Sequence, residues 1–90
     1  MQEKMLESKA FMIQLGKDMK KARQEKGITQ TDVACKMQLA GYDVDRFRIG
    51  RLENAERLIT APELFVLAFI LGLDLNSYKQ VCTVSFKIAS

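Results

Sequence analysis

Basic side chains are concentrated in one segment of this 90-residue chain. Residues 17–57 hold ten lysines and arginines against seven aspartates and glutamates, whereas residues 1–16 and 58–90 each sum to zero charge, so the whole net charge of +3 lies in the middle. Four of the arginines follow one another closely: Arg46, Arg48, Arg51 and Arg57. A basic patch raises the local concentration of polyanions, and this one points toward nucleic acid as a ligand.

Catalytic and metal-binding chemistry has few candidate residues here. The chain has no histidine, which is the commonest general base and zinc ligand, and its two cysteines, Cys35 and Cys82, lie far apart in the sequence. Two thiols cannot by themselves supply a four-thiolate or a mixed thiolate-imidazole zinc site, and no Ser-His-Asp triad can be built. We therefore expect a protein that is not an enzyme, binds no metal and uses no cofactor.

Length and hydropathy favour one small domain without a membrane segment. A composition of 48% apolar and 28% charged residues is typical of a folded domain, and 90 residues leave no room for a second core. The longest apolar run, Leu64–Leu71, is far shorter than the roughly 20 residues that cross a bilayer. Residues 1–10 mix acidic and basic side chains, unlike a secretion signal. We expect a cytoplasmic protein with no membrane partner.

Two amphipathic helices are predicted in the first half of the chain. Residues 11–26 carry apolar side chains at steps of three and four, with charged residues between them, and Gly27 follows as a helix terminator. Thr29 and Asp32 have the spacing of a capping box, which starts a second helix at Gln30. The apolar stripe of that helix is Val33, Ala34 and Met37, with Leu39 less regularly placed.

Two further helices are predicted from their N-caps. Asp45 is a good N-cap for a short third helix that runs from Arg46 to about Glu53. Thr60 and Glu63 form a second capping box. The fourth helix that they start is apolar on both faces, so we expect it to be central and buried on most sides.

The last part of the chain is less regular. Asp74 can cap a brief fifth helix near Leu75–Tyr78, and residues 82–88 alternate apolar and polar side chains as a strand does. One strand has no partner in an all-helical domain, so this tail is disordered, pairs with another copy, or lies over the core. The chain is thus divided into an N-terminal extension at 1–10, a helical domain at 11–78 and a tail at 79–90 that forms a strand or a dimerisation arm.

The residues along these helices resemble those of a known family of DNA-binding domains. The spacing that carries the resemblance is Arg23-x6-Gln30-x3-Ala34, then Val44-Asp45, Ile49, Leu52-Glu53-Asn54, a capped helix and Leu71-Gly72-Leu73. Over residues 13–78 it is similar to the helix-turn-helix domain of the Cro and phage-repressor type, also called the xenobiotic-response-element type. The resemblance implies an all-α, five-helix, lambda-repressor-like fold whose third helix enters the major groove of DNA.

This resemblance implies distinct roles for the polar residues. Arg46, Phe47 and Arg51 match the positions that face base edges, where arginine can donate two parallel hydrogen bonds to guanine. Phe47 can instead belong to the core. Candidate phosphate contacts are Gln30, Lys36, Arg48, Asn54 and Arg57, with Lys20 a further candidate; for the four basic residues a solvated surface role is the alternative. Arg23 and Glu53 match an internal ion pair and are interpreted as scaffold.

Three features depart from the family pattern. The interval between Gln30 and Asp45 is longer than in the shortest phage repressors, so the second helix gains a turn or residues 41–43 form a loop. Gly50 lies inside the third helix, where a close backbone approach to DNA would explain it. Ala55 stands where the family has a turn glycine, which predicts that Asn54 adopts the left-handed conformation instead.

The resemblance also implies partners. Double-stranded DNA with a palindromic site is the expected ligand, and because its half-sites lie about 34 Å apart, a homodimer is expected, formed through the C-terminal third. The expected function is sequence-specific transcriptional regulation, most simply repression. The alternative is a protein-interaction module, such as an antitoxin or co-regulator, whose main contact is another protein.

Overall fold

A computed structural model describes the backbone of residues 2–78 and the side chains of residues 9–78. Within this range the chain is all-α, as predicted. The elements are α1 (Gln2–Glu25), α2 (Gln30–Leu39), α3 (Arg46–Glu53), α4 (Ala61–Leu71) and one turn of 3-10 helix, Leu75–Tyr78. The fifth helix expected from the sequence is therefore only this 3-10 turn. The tail at 79–90, with the predicted strand and Cys82, lies outside the described residues.

The first helix is longer than the sequence indicated. It begins at Gln2 rather than at Phe11, so the backbone of residues 2–10 continues α1 and does not form a separate extension. It ends at Glu25, one residue before the predicted end. Gly27 adopts a φ of +68°, and the N–H of Ile28 donates to the carbonyl of Arg23, closing the left-handed turn that ends many helices.

The predicted caps fix the starts of α2, α3 and α4. Thr29 Oγ1 accepts from the Asp32 N–H at 3.1 Å, and the Asp32 carboxylate accepts from the Thr29 N–H at 2.8 Å, which lowers the pKa of Asp32. Thr60 and Glu63 repeat this arrangement at α4. At α3 the Asp45 carboxylate accepts from the N–H of Arg48 at 2.9 Å. Local hydrogen bonding thus sets where each helix begins.

The helices enclose one core, to which α1 contributes the methionines and leucine of its apolar stripe. Its fully or nearly buried members are Met12, Leu15, Met19, Val33, Ala34, Met37, Val44, Ile49, Leu52, Leu67, Leu71 and Tyr78. The 3-10 turn closes one edge, where the Tyr78 hydroxyl donates to the Asp18 carboxylate at 2.7 Å and burial raises the pKa of Tyr78.

Gly16 lets α1 approach the C-terminal end of α3. A Cβ atom at position 16 would overlap the carbonyl oxygen of Glu53 and would lie 2.8 Å from that of Leu52. No side chain fits there without moving backbone. This contact sets the distance between the first and third helices, and hence how far α3 stands out from the bundle.

The fourth helix is buried or half-buried at seven of its eleven positions, in line with the prediction, but one face is open to solvent. Its buried residues include Leu67 and Leu71, but Phe65 is 64% exposed and Phe69 is 89% exposed. All of its exposed positions are apolar: Ala61, Pro62, Phe65 and Phe69. Apolar residues thus lie on both faces of α4: one face packs on the core and the other faces solvent. None of the helices in the described range is long and apolar enough to cross a membrane.

Candidate nucleic-acid interface

The third helix presents one face to solvent and buries the other. Ile49 and Leu52 have no more than 1% of their surface exposed, which anchors α3 in the core. Arg46 and Arg51 are exposed, and Phe47 is 62% exposed rather than part of the core. The core alternative for Phe47 is therefore excluded by its exposure.

Five of the predicted contact residues meet in one shallow depression over α3. It is lined by Gln30, Arg46, Phe47, Gly50, Arg51 and Asn54. All three predicted base-contacting residues belong to this set, together with two of the predicted phosphate-contacting ones. We call this surface the α3 depression. None of its six lining residues is acidic, so two guanidinium groups dominate its electrostatic potential.

A second depression shares Phe47 and Arg51 with the α3 depression but differs in charge. It contains Arg57, a predicted phosphate contact, but also the carboxylates of Asp43 and Asp45. This mixture of signs makes it a poorer surface for a polyanion than the α3 depression. Lys36 on α2 and Lys20 on α1 are exposed and lie outside both linings.

Arg46 lies over the ring of Phe47. Its guanidinium carbon is 4.8 Å from the ring centroid, within the range of a cation–π contact. Among residues 9–78, no hydrogen bond or salt bridge engages the Arg46 guanidinium. Its donors are thus available while one neighbouring side chain restricts where the group can lie.

Gln30 is held at the base of the α3 depression. Its side-chain amide donates to Glu53 Oε1 at 3.1 Å, and it lies next to Gly50, where a Cβ would stand 3.4 Å from Gln30 Nε2. The glycine in the middle of α3, interpreted from sequence as a close approach to DNA, lies against the Gln30 side chain, with which a Cβ would be in ordinary van der Waals contact.

Glu53 connects three helices through partly buried hydrogen bonds. Its carboxylate accepts from Arg23 Nε at 2.7 Å and from Arg23 Nη2 at 3.2 Å, and it also accepts from Gln30. Arg23 Nη1 donates in addition to the carbonyl of Ile28 at 3.2 Å. The hydrogen bond to Glu53 raises the pKa of Arg23. The expected ion pair is present, and it fixes α3 against α1 and α2.

Arg48, predicted as a phosphate contact, pairs with Glu63 at the start of α4. Its Nε and Nη2 atoms donate to the two carboxylate oxygens at 3.0 and 2.8 Å. This bidentate contact lowers the pKa of Glu63 and raises that of Arg48. The guanidinium thus joins α3 to α4, while the phosphate contact of Arg48 stays a prediction.

The turn before α3 is a loop held at both ends. Gly41 has a φ of +95°, and the N–H of Tyr42 donates to the carbonyl of Met37 at 3.0 Å. The Gln38 side chain donates to the carbonyl of Val44 at 2.8 Å, and Val44 is buried. The longer interval before Asp45 is accommodated by α2 running to Leu39 and by this loop. Gln38 was not predicted to have a role, because its acceptor is a backbone group that sequence does not mark.

The turn after α3 differs from the prediction. Asn54 keeps a φ of −93°, and Ala55 takes the left-handed conformation with a φ of +59°. The N–H of Glu56 donates to the carbonyl of Arg51 at 2.8 Å and that of Ala55 to Leu52 at 3.2 Å, as in a glycine-ended helix. Asn54 is therefore exposed at the end of α3 without a role in reversing the chain.

Comparisons with known proteins add no further assignment. No family model matches the chain, and no match is found among curated proteins or solved structures. Among the described residues, no group of three or more Cys, Asp or Glu side chains is placed to hold a metal ion.

Proposed function

We propose that this protein binds double-stranded DNA in a sequence-specific manner and regulates transcription, most simply as a repressor acting in the cytoplasm. In this proposal α3 enters the major groove, α2 lies across the backbone above it, and the domain is a lambda-repressor-like helix-turn-helix. The observation that carries the proposal is the α3 depression, where Arg46, Phe47 and Arg51 are exposed beside Gln30 and Asn54 with no acidic neighbour in its lining.

The rigidity of α3 supports this proposal. A recognition helix must hold its side chains in register with base pairs, and α3 is fixed by Ile49 and Leu52 in the core and by two ion pairs. The pairs run from Glu53 to Arg23 and from Arg48 to Glu63, so they anchor both ends of the helix while leaving Arg46 and Arg51 to face solvent. Base readout depends on such preorganisation.

A homodimer on a palindromic site is part of the proposal. A single eight-residue helix reads only a few base pairs, and two-fold sites are read by two-fold dimers. The exposed apolar face of α4, formed by Phe65 and Phe69 with Ala61 and Pro62, supports a second copy as its partner, because a soluble helix normally shows polar residues to water.

Selection from a pool of random duplexes with the purified protein tests the proposal. We expect a recurring sequence, arranged as an inverted repeat, and an affinity that falls steeply between about 50 and 200 mM salt. The matched control is the double variant Arg46→Ala and Arg51→Ala, whose exposed positions leave the fold intact as judged by circular dichroism. If the wild type binds no duplex at low salt, the proposal is wrong.

The same apolar face favours a second candidate function. A protein-interaction module would use Phe65 and Phe69 to bind another protein, in the manner of an antitoxin or co-regulator, and would need no exposed arginines on α3. A pull-down in which the partner is lost in Phe69→Lys, with no duplex selected by the wild type, would favour this alternative.

A further inference from the structure

Arg46 and Phe47 are adjacent in sequence and in contact, and both face solvent in the first turn of α3. The guanidinium carbon of Arg46 is 4.8 Å from the centroid of the Phe47 ring. At 62% exposed, Phe47 contributes little to the core, and the group that its ring contacts is the Arg46 guanidinium. The ring therefore restricts the guanidinium and offers an apolar surface to whatever binds there.

The contact constrains Arg46 without engaging its hydrogen-bond donors. A cation–π contact uses the face of the aromatic ring and the charge of the guanidinium, whereas the five N–H donors of arginine lie in the guanidinium plane. Within residues 9–78 these donors have no hydrogen-bond acceptor. The side chain is thus ordered in advance for an acceptor pair such as guanine O6 and N7.

The ring also offers an apolar surface beside the guanidinium. In the major groove the apolar group on a base edge is the 5-methyl group of a pyrimidine, as in thymine. Adjacent base pairs are stacked about 3.4 Å apart, whereas pairs separated by one more step are about twice as far. Two groups only 4.8 Å apart reach base edges that lie close together, as those of adjacent base pairs do.

We propose that Arg46 and Phe47 act as one unit that reads a guanine together with the 5-methyl group of the pyrimidine in the adjacent base pair. This inference rests on the proposed DNA-binding function and specifies what the first turn of α3 recognises. The methyl group belongs to thymine or to 5-methylcytosine, which present the same apolar surface in the groove.

The experiment uses the full chain and the duplex selected under the proposed function. We expect this duplex to contain a guanine next to a thymine in each half-site. Replacing that thymine by deoxyuracil removes only the methyl group and should weaken wild-type binding about fourfold, the effect of exposing one buried carbon. The same replacement should leave Phe47→Ala binding unchanged. In a second arm, a cytosine at this position should bind more tightly when it is 5-methylated.

Arginine and phenylalanine are tested as a pair by a double-mutant cycle. The discrimination between guanine and adenine is measured for the wild type, Arg46→Ala, Phe47→Ala and the double variant. The two substitutions should be coupled by about twofold to fivefold in affinity, as an exposed cation–π contact gives. Phe47→Tyr keeps the ring and should retain the guanine preference, whereas Phe47→Leu should reduce it. Thermal unfolding of each variant separates these effects from loss of fold.

The outcomes separate the inference from the function on which it rests. Selection of no duplex overturns both. Selection of a duplex that lacks the guanine–methylpyrimidine step, a deoxyuracil duplex bound as tightly as the thymine duplex, or independent effects of Arg46 and Phe47 would overturn the inference while DNA binding stands.

Discussion

Arg48 and Glu63 join the first turn of α3 to the first turn of α4 through a bidentate ion pair, with Nη2 and Oε1 2.8 Å apart. The same carboxylate caps α4 by accepting from the N–H and the hydroxyl of Thr60, each at 3.0 Å. One buried glutamate thus serves two helices. The position of α3 relative to α4 consequently depends on a charge.

Replacing this glutamate tests that dependence. Because the Arg48 hydrogen bonds lower the pKa of Glu63 in the folded state, the unfolded state binds the proton more readily. The stabilisation is therefore complete above the ordinary carboxyl pKa of about 4.3 and is lost as the pH falls below it. Glu63→Gln should cost about 1–3 kcal/mol at pH 7, and the difference should narrow toward pH 3.

Urea unfolding at a series of pH values measures this effect. Glu56→Gln is the matched control, because Glu56 is exposed, and its effect should stay within about 0.5 kcal/mol at neutral pH. A Glu63→Gln variant that loses stability equally at pH 7 and pH 3 would show that the ion pair contributes nothing through its charge.

The close approach of α1 to α3 predicts a severe effect of a small substitution. Gly16→Ala places a methyl group against the carbonyl oxygens of Leu52 and Glu53, which are backbone atoms and cannot rotate away. We expect a loss of at least about 3 kcal/mol in the free energy of unfolding, at the upper end for overpacked sites. Thermal denaturation measures it against Lys17→Ala, an exposed neighbour on α1 that should change little. A Gly16→Ala protein with wild-type stability contradicts this packing.

The left-handed conformation of the residue after α3 leads to a prediction of increased stability, in contrast to the loss expected for Gly16→Ala. Ala55 has a φ of +59°, which costs an L-residue on the order of 1 kcal/mol, so Ala55→Gly should stabilise the fold by roughly 0.5–1 kcal/mol. Ala40→Gly is the control, because Ala40 ends α2 with a φ of −83° and has no such strain to relieve. In chemical denaturation the midpoint should therefore rise for Ala55→Gly and fall for Ala40→Gly. A shift of both midpoints in the same direction would show that Ala55 stores no backbone strain.

Substitutions of Arg51 and Lys36 distinguish base readout from non-specific electrostatic attraction to DNA. Both are exposed, but only Arg51 lines the α3 depression. Arg51→Ala should cost about 1–3 kcal/mol on the selected duplex and lose discrimination at one base pair. Lys36→Ala removes the same charge and should weaken all duplexes alike, with a shallower salt dependence. Fluorescence anisotropy on selected and scrambled duplexes measures both, and equal behaviour of the two variants would count against readout by Arg51.

The starts of α2, α3 and α4 could be predicted from sequence because capping is local. Thr29, Asp45 and Thr60 bond to groups three residues away, so the spacing alone reveals them. The exposed face of α4 could not be predicted, since a helix that is apolar all round has no periodicity to show which side packs.

Tertiary partners at the site could not be predicted either. Arg48 looks like its neighbours Arg46 and Arg51 in the sequence, which did not indicate its ion pair with Glu63, 15 residues away. The close contact at Gly16 could not be predicted from sequence either, because the groups next to it are backbone carbonyls of another helix. By contrast, the set of residues over α3 was expected from the resemblance to helix-turn-helix domains, and their exposure is consistent with the buried register of Ile49 and Leu52.

The exposed face of α4 yields the last prediction, on self-association. Phe69 and Leu39 are each 89% exposed, so a lysine at either position should leave the monomer equally stable. If a second copy covers α4, Phe69→Lys should raise the dimer dissociation constant by tenfold or more, because a buried aromatic contact is replaced by a charge, while Leu39→Lys should not. Sedimentation at micromolar concentrations measures the dimer, and binding to an inverted repeat should weaken in parallel while binding to a single half-site is unchanged. A wild-type chain that stays monomeric at high micromolar concentration would rule out dimerisation through α4. It would favour the alternative in which Phe65 and Phe69 bind another protein.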